Sequence, residues 1–111
     1  MSLRDHAVPV RKEAILALTH SSRALDIYLW LSARLWRVHK PTLVKWTSLR
    51  WQFGTNKQKM SSFKLRFKEA LSQVLAVYPE ARVSIEYGGI MIENSKPPVP
   101  FKFGKRKGLL L

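Results

Sequence analysis

Between residues 58 and 93 the apolar period of this chain changes once, and it changes across a single proline. In "QKMSSFKLRFKEALSQVLAVYP" the residues Met60, Phe63, Phe67, Ala70, Leu71, Val74 and Tyr78 recur at three- and four-residue steps, and Pro79 ends the run. That spacing is one face of a helix, expected over about residues 58–77. In "RVSIEYGGIMIE" the period is two, with Val83, Ile85 and Tyr87 alternating with Arg82, Ser84 and Glu86. Gly88-Gly89 is a two-residue loop that tolerates positive φ at both positions. This register sets Tyr87 opposite Ile90 and Ile85 opposite Ile92 on one face. On the other, Glu86 faces Met91 and Ser84 faces Glu93. A long helix running into a β-hairpin leaves few folds open.

The preceding residues narrow them further. Arg11 to Thr19, after Pro9, reads as a short extra helix at about 10–19. Ser21 or Ser22 can cap a helix over about 22–39, which Pro41 forbids from continuing. Its apolar face is read as Ala24, Leu25, Tyr28, Leu31, Leu35, Trp36 and Val38, with Arg23, Asp26, Trp30, Arg34 and Arg37 opposite. "PTLVKW" is β-branched and short, a strand at about 42–46. Thr47 then caps a short helix "SLRWQF", closed by Gly54 in a left-handed conformation, and Thr55 or Asn56 caps the long helix. Trp36, Trp46, Trp51 and Phe53 are assigned to the core. Residues 1–95 thus form one domain, and 96–111, with prolines at 97, 98 and 100, form a Pro-rich basic tail.

Charge says what such a domain meets. Twenty Lys and Arg against seven Asp and Glu give a formal net charge of +13. A field of that strength repels itself and attracts polyanions, of which nucleic acid is the usual one. Nothing in the N-terminal "MSLRDHAVPVRKEAILALTH" resembles a signal peptide, and no apolar run reaches the roughly 18–20 residues of a membrane span. A soluble, cytoplasmic protein with no membrane association is expected.

Helix, strand, short helix, turn, long helix and hairpin are the element order of a winged helix. The expected fold class is therefore α+β, mostly helical: a winged helix-turn-helix with a two-stranded β-hairpin wing, its helical pair at about 47–77. At this level the segments "SSRALDIYLWLSARLWR", "PTLVKWTSLRWQFG", "FKLRFKEALSQVLAVYPEARV" and "GGIMIENSKPPV" resemble the C-terminal region of RepA-type plasmid replication initiators. The likeness runs over about residues 20–99. Its most telling pieces are Leu-Asp-Ile-Tyr-Leu-Trp-Leu, the spacing from Trp46 to Phe53-Gly54, and Tyr78-Pro79. The resemblance implies binding to repeated sites at a plasmid origin and recruitment of host replication proteins. Such initiators are generally longer, with more protein ahead of the matched region, which implies a C-terminal domain or a short relative.

The expected DNA contacts follow from the long helix. With its core side centred on Phe63, Phe67 and Val74, Ser61, Leu65, Lys68 and Ser72 point away, flanked by Lys64 and Arg66. Gln58, Ser61, Ser62, Lys64 and Leu65 are placed to meet base edges, and Lys57, Lys59 and Lys68 to meet phosphates. A solvated lysine face is the alternative. Arg50 on the short helix can touch the DNA backbone or remain a surface arginine. Glu86 and Glu93 face outward from the hairpin, where phosphate repels them, so the wing is expected to brace the core rather than read bases. Lys96, Lys105, Arg106 and Lys107 can extend the footprint as an arm, or belong to an unstructured tail. Trp30, with Arg34 and Arg37 nearby, is either covered by the N-terminal helix or is a protein interface, for a second copy or another domain.

Catalysis and cofactors find no support in the residues. Cysteine is absent, the three histidines are scattered, and no phosphate-binding glycine loop or paired carboxylate is present. A non-enzyme without cofactor or metal is expected. The competing readings are a winged-helix transcriptional repressor, which needs the same domain, and a basic RNA-binding protein.

Overall fold

The computed structural model describes residues 10–55 and 57–98. It is an α+β fold of four helices and one antiparallel sheet among the described residues. The elements are α1 (Lys12–Leu18), α2 (Ser22–Arg34) with a 3₁₀ turn (Leu35–Arg37), β1 (Thr42–Lys45), α3 (Trp46–Phe53), α4 (Met60–Val77), β2 (Arg82–Glu86) and β3 (Gly89–Glu93).

The core is built where α2 and α4 face each other, with the sheet and α3 closing it. From α4 come Phe63, Phe67, Ala70, Leu71 and Val74, all buried at helical spacing, and Tyr78 just past its end. From α2 come Ala24, Ile27, Tyr28 and Leu31. The α2 stripe is thus rotated from the one expected: Ile27 lies at its centre, and Leu25 is only half-buried. Trp30 therefore flanks the core instead of opposing it, and it packs edge-on to Phe53 at 5.4 Å. Phe53 lies on α3, so that helix covers part of Trp30, which stays half-buried. Phe67 joins the two helical layers, with its ring 5.9 Å from both Trp46 and Phe53. Such buried aromatic pairs add about 0.5–1.5 kcal/mol each to their area burial.

Ser21 caps α2, its hydroxyl accepting from the Ala24 amide at 3.2 Å. The helix tightens into the 3₁₀ turn at Leu35 well before Pro41. Neither Thr47 nor Thr55 caps a helix. The residues at those positions are Lys45 and Lys59, without side-chain bonds, and Asn56 lies outside the described residues. Trp46 is drawn into the first turn of α3 because its backbone N–H reaches the Gly88 carbonyl at 3.2 Å. Gly54 is extended (φ −111°, ψ −162°) rather than left-handed.

The sheet corrects the expected two-stranded wing in two ways. It has three strands in the order β1-β3-β2, with Thr42 opposite Ile92 and Lys45 opposite Gly89. The hairpin is also slid by two residues: Ile85 faces Ile90, Val83 faces Ile92, Ser84 faces Met91 and Glu86 faces Gly89. A slip of two keeps the apolar side inward, so alternation alone does not distinguish the two registers. Contact with β1 does. A Cβ on Gly89 would stand 2.0 Å from the Val44 carbonyl oxygen, so the glycine must be a strand residue against β1. The loop becomes Tyr87-Gly88, and Tyr87 is fully exposed at its tip.

Two of the tryptophans assigned to the core are on the surface. Trp51 is 80% exposed and Trp36 42%, whereas Trp46 is buried and Phe53 half-buried. Both outward residues share a helical turn with a better-placed apolar neighbour, Leu49 for Trp51 and Leu35 for Trp36. Replacing Trp51 by alanine is therefore expected to change unfolding stability by less than about 0.5 kcal/mol, as read from the urea midpoint.

The N-terminal segment is fastened across the end of α4. The Arg11 backbone N–H donates to the Tyr28 hydroxyl at 3.0 Å, and its guanidinium bonds the Val77 carbonyl and pairs with Glu80. Tyr28 and Tyr78 meet edge to face at 6.0 Å. Burial, with Glu80 and Tyr28 adding to it, pushes the Tyr78 phenol above its ordinary pKa, and the neutral hydroxyl donates to the Lys96 carbonyl at 2.7 Å.

Candidate nucleic-acid interface

The outward side of α4 is set by its inward one. Phe63, Phe67, Ala70, Leu71 and Val74 fix which face is buried, and a helix advancing about 100° per residue then turns Ser61, Leu65, Lys68 and Ser72 to solvent. Leu65 is 59% exposed and Lys68 is exposed, while Lys64 is half-buried on one flank and Arg66 exposed on the other. Lys57, Lys59, Ser61 and Ser62 are exposed at the start of the helix. Among the described residues none of these lysines forms an ion pair.

Trp46 organises the site. The ammonium groups of Lys64 and Lys68 lie 5.7 and 5.8 Å from its ring centroid, one helical turn apart. Its indole N–H donates to the Tyr87 carbonyl at 3.1 Å, and its backbone N–H to Gly88. One buried side chain thus holds two cations of α4 and the tip of the β2–β3 hairpin. Each cation–π contact contributes only about 0.5–1 kcal/mol at a partly exposed site.

Other expected contact residues are placed differently. Arg50 is half-buried and its Nη1 donates to the Gln58 carbonyl at 3.3 Å, bracing the turn between α3 and α4. Gln58 turns its Oε1 inward, where it has no partner among the described residues. Lys96 is exposed, and Lys105, Arg106 and Lys107 lie outside the described residues. The Arg34 Cζ lies over the Trp30 ring, 5.8 Å from its centroid, and the Arg37 Cζ over Trp36 at 5.9 Å. In the hairpin Glu86 is exposed and accepts from the Ser84 hydroxyl at 3.1 Å, while Glu93 is half-buried.

Sequence reasoning did not find Trp46 as the hub, nor Tyr87 at the tip. The signal available was the pair Gly88-Gly89, whose second member is fixed by a neighbour 45 residues earlier in the chain, Val44.

Among the described residues no group of three or more His, Asp or Glu is placed to hold a metal ion. No helix there is long and apolar enough to cross a membrane. Compared with protein-family models, with curated proteins and with solved structures, the chain matches none.

Proposed function

We propose that this chain is a winged-helix domain that binds double-stranded DNA sequence-specifically, as part of a plasmid replication initiator acting at origin repeats. One observation carries the DNA-binding reading: the lysine-bearing side of α4 is open, and Trp46 fastens the hairpin tip beside it. The element order supports the winged-helix reading, since a helical pair α3–α4 is followed by a hairpin that pairs with the strand ahead of it. The net charge of +13 supports a polyanionic partner. The assignment to replication rests on the resemblance to RepA-type initiators. In this reading Ser61, Ser62, Lys64 and Leu65 meet base edges, and Lys57, Lys59 and Lys68 meet phosphates. Arg50 acts indirectly, by holding the α3–α4 turn.

The test is a binding titration on duplexes selected from a random pool. The association constant should fall linearly with salt on logarithmic axes, with a slope of about 0.9 per phosphate contacted. A salt-independent affinity, or equal competition by structured RNA, would overturn the reading. Lys64→Ala should relax preference at one base pair by about 1–3 kcal/mol if its ammonium meets a base. An equal loss on every duplex leaves it a phosphate role alone. Selected sites that recur as repeats support an origin; a single promoter site points to a repressor instead.

A further inference from the structure

A second basic site lies away from α4, at the corner where α2 gives way to β1. An open cleft of about 400 Å³ is lined there by Arg34, Arg37, Val38, His39, Lys40 and Thr42. The lining contains no carboxylate, and among the described residues none of its four basic side chains has an ion-pair partner. The corner is built rather than loose. The Asn94 side-chain amide donates to the Trp36 and Val38 carbonyls at 3.2 and 3.0 Å. The Ser95 backbone N–H reaches the Leu35 carbonyl at 3.1 Å, and the Thr42 hydroxyl bonds the Lys40 carbonyl at 2.8 Å. The two guanidiniums lie against tryptophan rings, Arg34 on Trp30 and Arg37 on Trp36. An arginine held over a ring still offers the planar fork of N–H donors that suits an oxyanion. The cleft meets the sheet at Thr42, the end of β1 remote from Lys45, which pairs with Gly89 beside the hairpin tip. It is therefore a separate site from the α4 face.

We propose that this cleft binds a phosphate group of a nucleic-acid backbone, a second anchor in addition to α4. The proposal goes beyond the α4 interface and gives Arg34 and Arg37 a phosphate role in place of a protein contact.

The experiment follows backbone amide shifts by NMR, first with inorganic phosphate against chloride at matched ionic strength, then with a short duplex. With phosphate, the amides of Arg37, Val38, His39, Lys40 and Thr42 should shift saturably. The Arg37→Gln/Lys40→Gln variant should weaken that binding about tenfold or more, while Lys64→Gln/Lys68→Gln leaves it unchanged. Both residues of the first variant are exposed, and its unshifted core amides report that it is folded. With duplex, the same amides should move, and the variant should lower the salt slope by about one phosphate, or 0.9. The proposal is overturned if phosphate shifts do not saturate, or if they spread evenly over all basic surfaces. It is equally overturned if duplex moves α4 amides and leaves 37–42 still. Duplex shifts confined to 37–42, with α4 silent, would uphold the cleft and remove the α4 reading.

Discussion

Gly89→Ala is expected to destabilise the protein by on the order of 3 kcal/mol, a cost typical of backbone strain and overpacking together. The added Cβ would lie 2.0 Å from the Val44 oxygen and 2.9 Å from the Lys45 Cα, and both are main-chain atoms of the neighbouring strand. No rotamer change relieves such a clash; β1 must separate from β3. The φ of +157° at this position is a further restraint on any residue with a side chain. Gly88→Ala is the control, because its Cβ would meet only the Leu43 side chain, at an ordinary 3.5 Å. Urea unfolding should separate the two variants clearly. Equal midpoints would mean that the β1–β3 contact does not fix the hairpin register. The effect reaches the interface as well, since Gly88 and Tyr87 supply the carbonyls that Trp46 binds.

Reversing the charge of Lys64 and Lys68 together is expected to weaken duplex binding by at least about 100-fold at moderate salt, roughly 1.4 kcal/mol for each position. The two ammonium groups occupy one patch over Trp46, so Lys64→Glu/Lys68→Glu sets two negative charges where a phosphate would approach. The general field of the protein must be separated from this local effect. Lys12→Glu/Arg82→Glu changes net charge equally at exposed positions on α1 and β2, and should cost no more than about tenfold. Similar losses in both double variants would reduce the α4 patch to a contributor to net charge. Circular dichroism of Lys64→Gln/Lys68→Gln checks that losing the cation–π contacts leaves the fold intact.

The α4 face was legible because a helix is a local object. Its core side needs only the spacing of Phe63, Phe67, Ala70, Leu71 and Val74, and once that side is known the exposure of Ser61, Leu65 and Lys68 follows. The α2 face was less legible, since apolar residues surround that helix and periodicity alone did not rank Ile27 above Leu25 or Trp36. Tryptophan identity misled for Trp51 and Trp36, because a large apolar residue is drawn inward only where a neighbouring element leaves room for it. The role of Arg50 was hidden for a similar reason. Its partner is the Gln58 carbonyl, a main-chain group that carries no residue-type signal.

The amino-acid sequence by itself determined the helices, the hairpin, the excess of positive charge and the side of α4 that carries it. Those properties depend on neighbours within a turn or two of chain. Tertiary structure alone decided the third strand, the two-residue slide of the hairpin, the exposed Tyr87 and the place of Trp46 between two lysines and the hairpin tip. Each of these rests on a contact between residues 18 to 50 positions apart, such as Trp46 against Lys64 and Thr42 against Ile92, and such contacts leave no periodic trace in the order of residues.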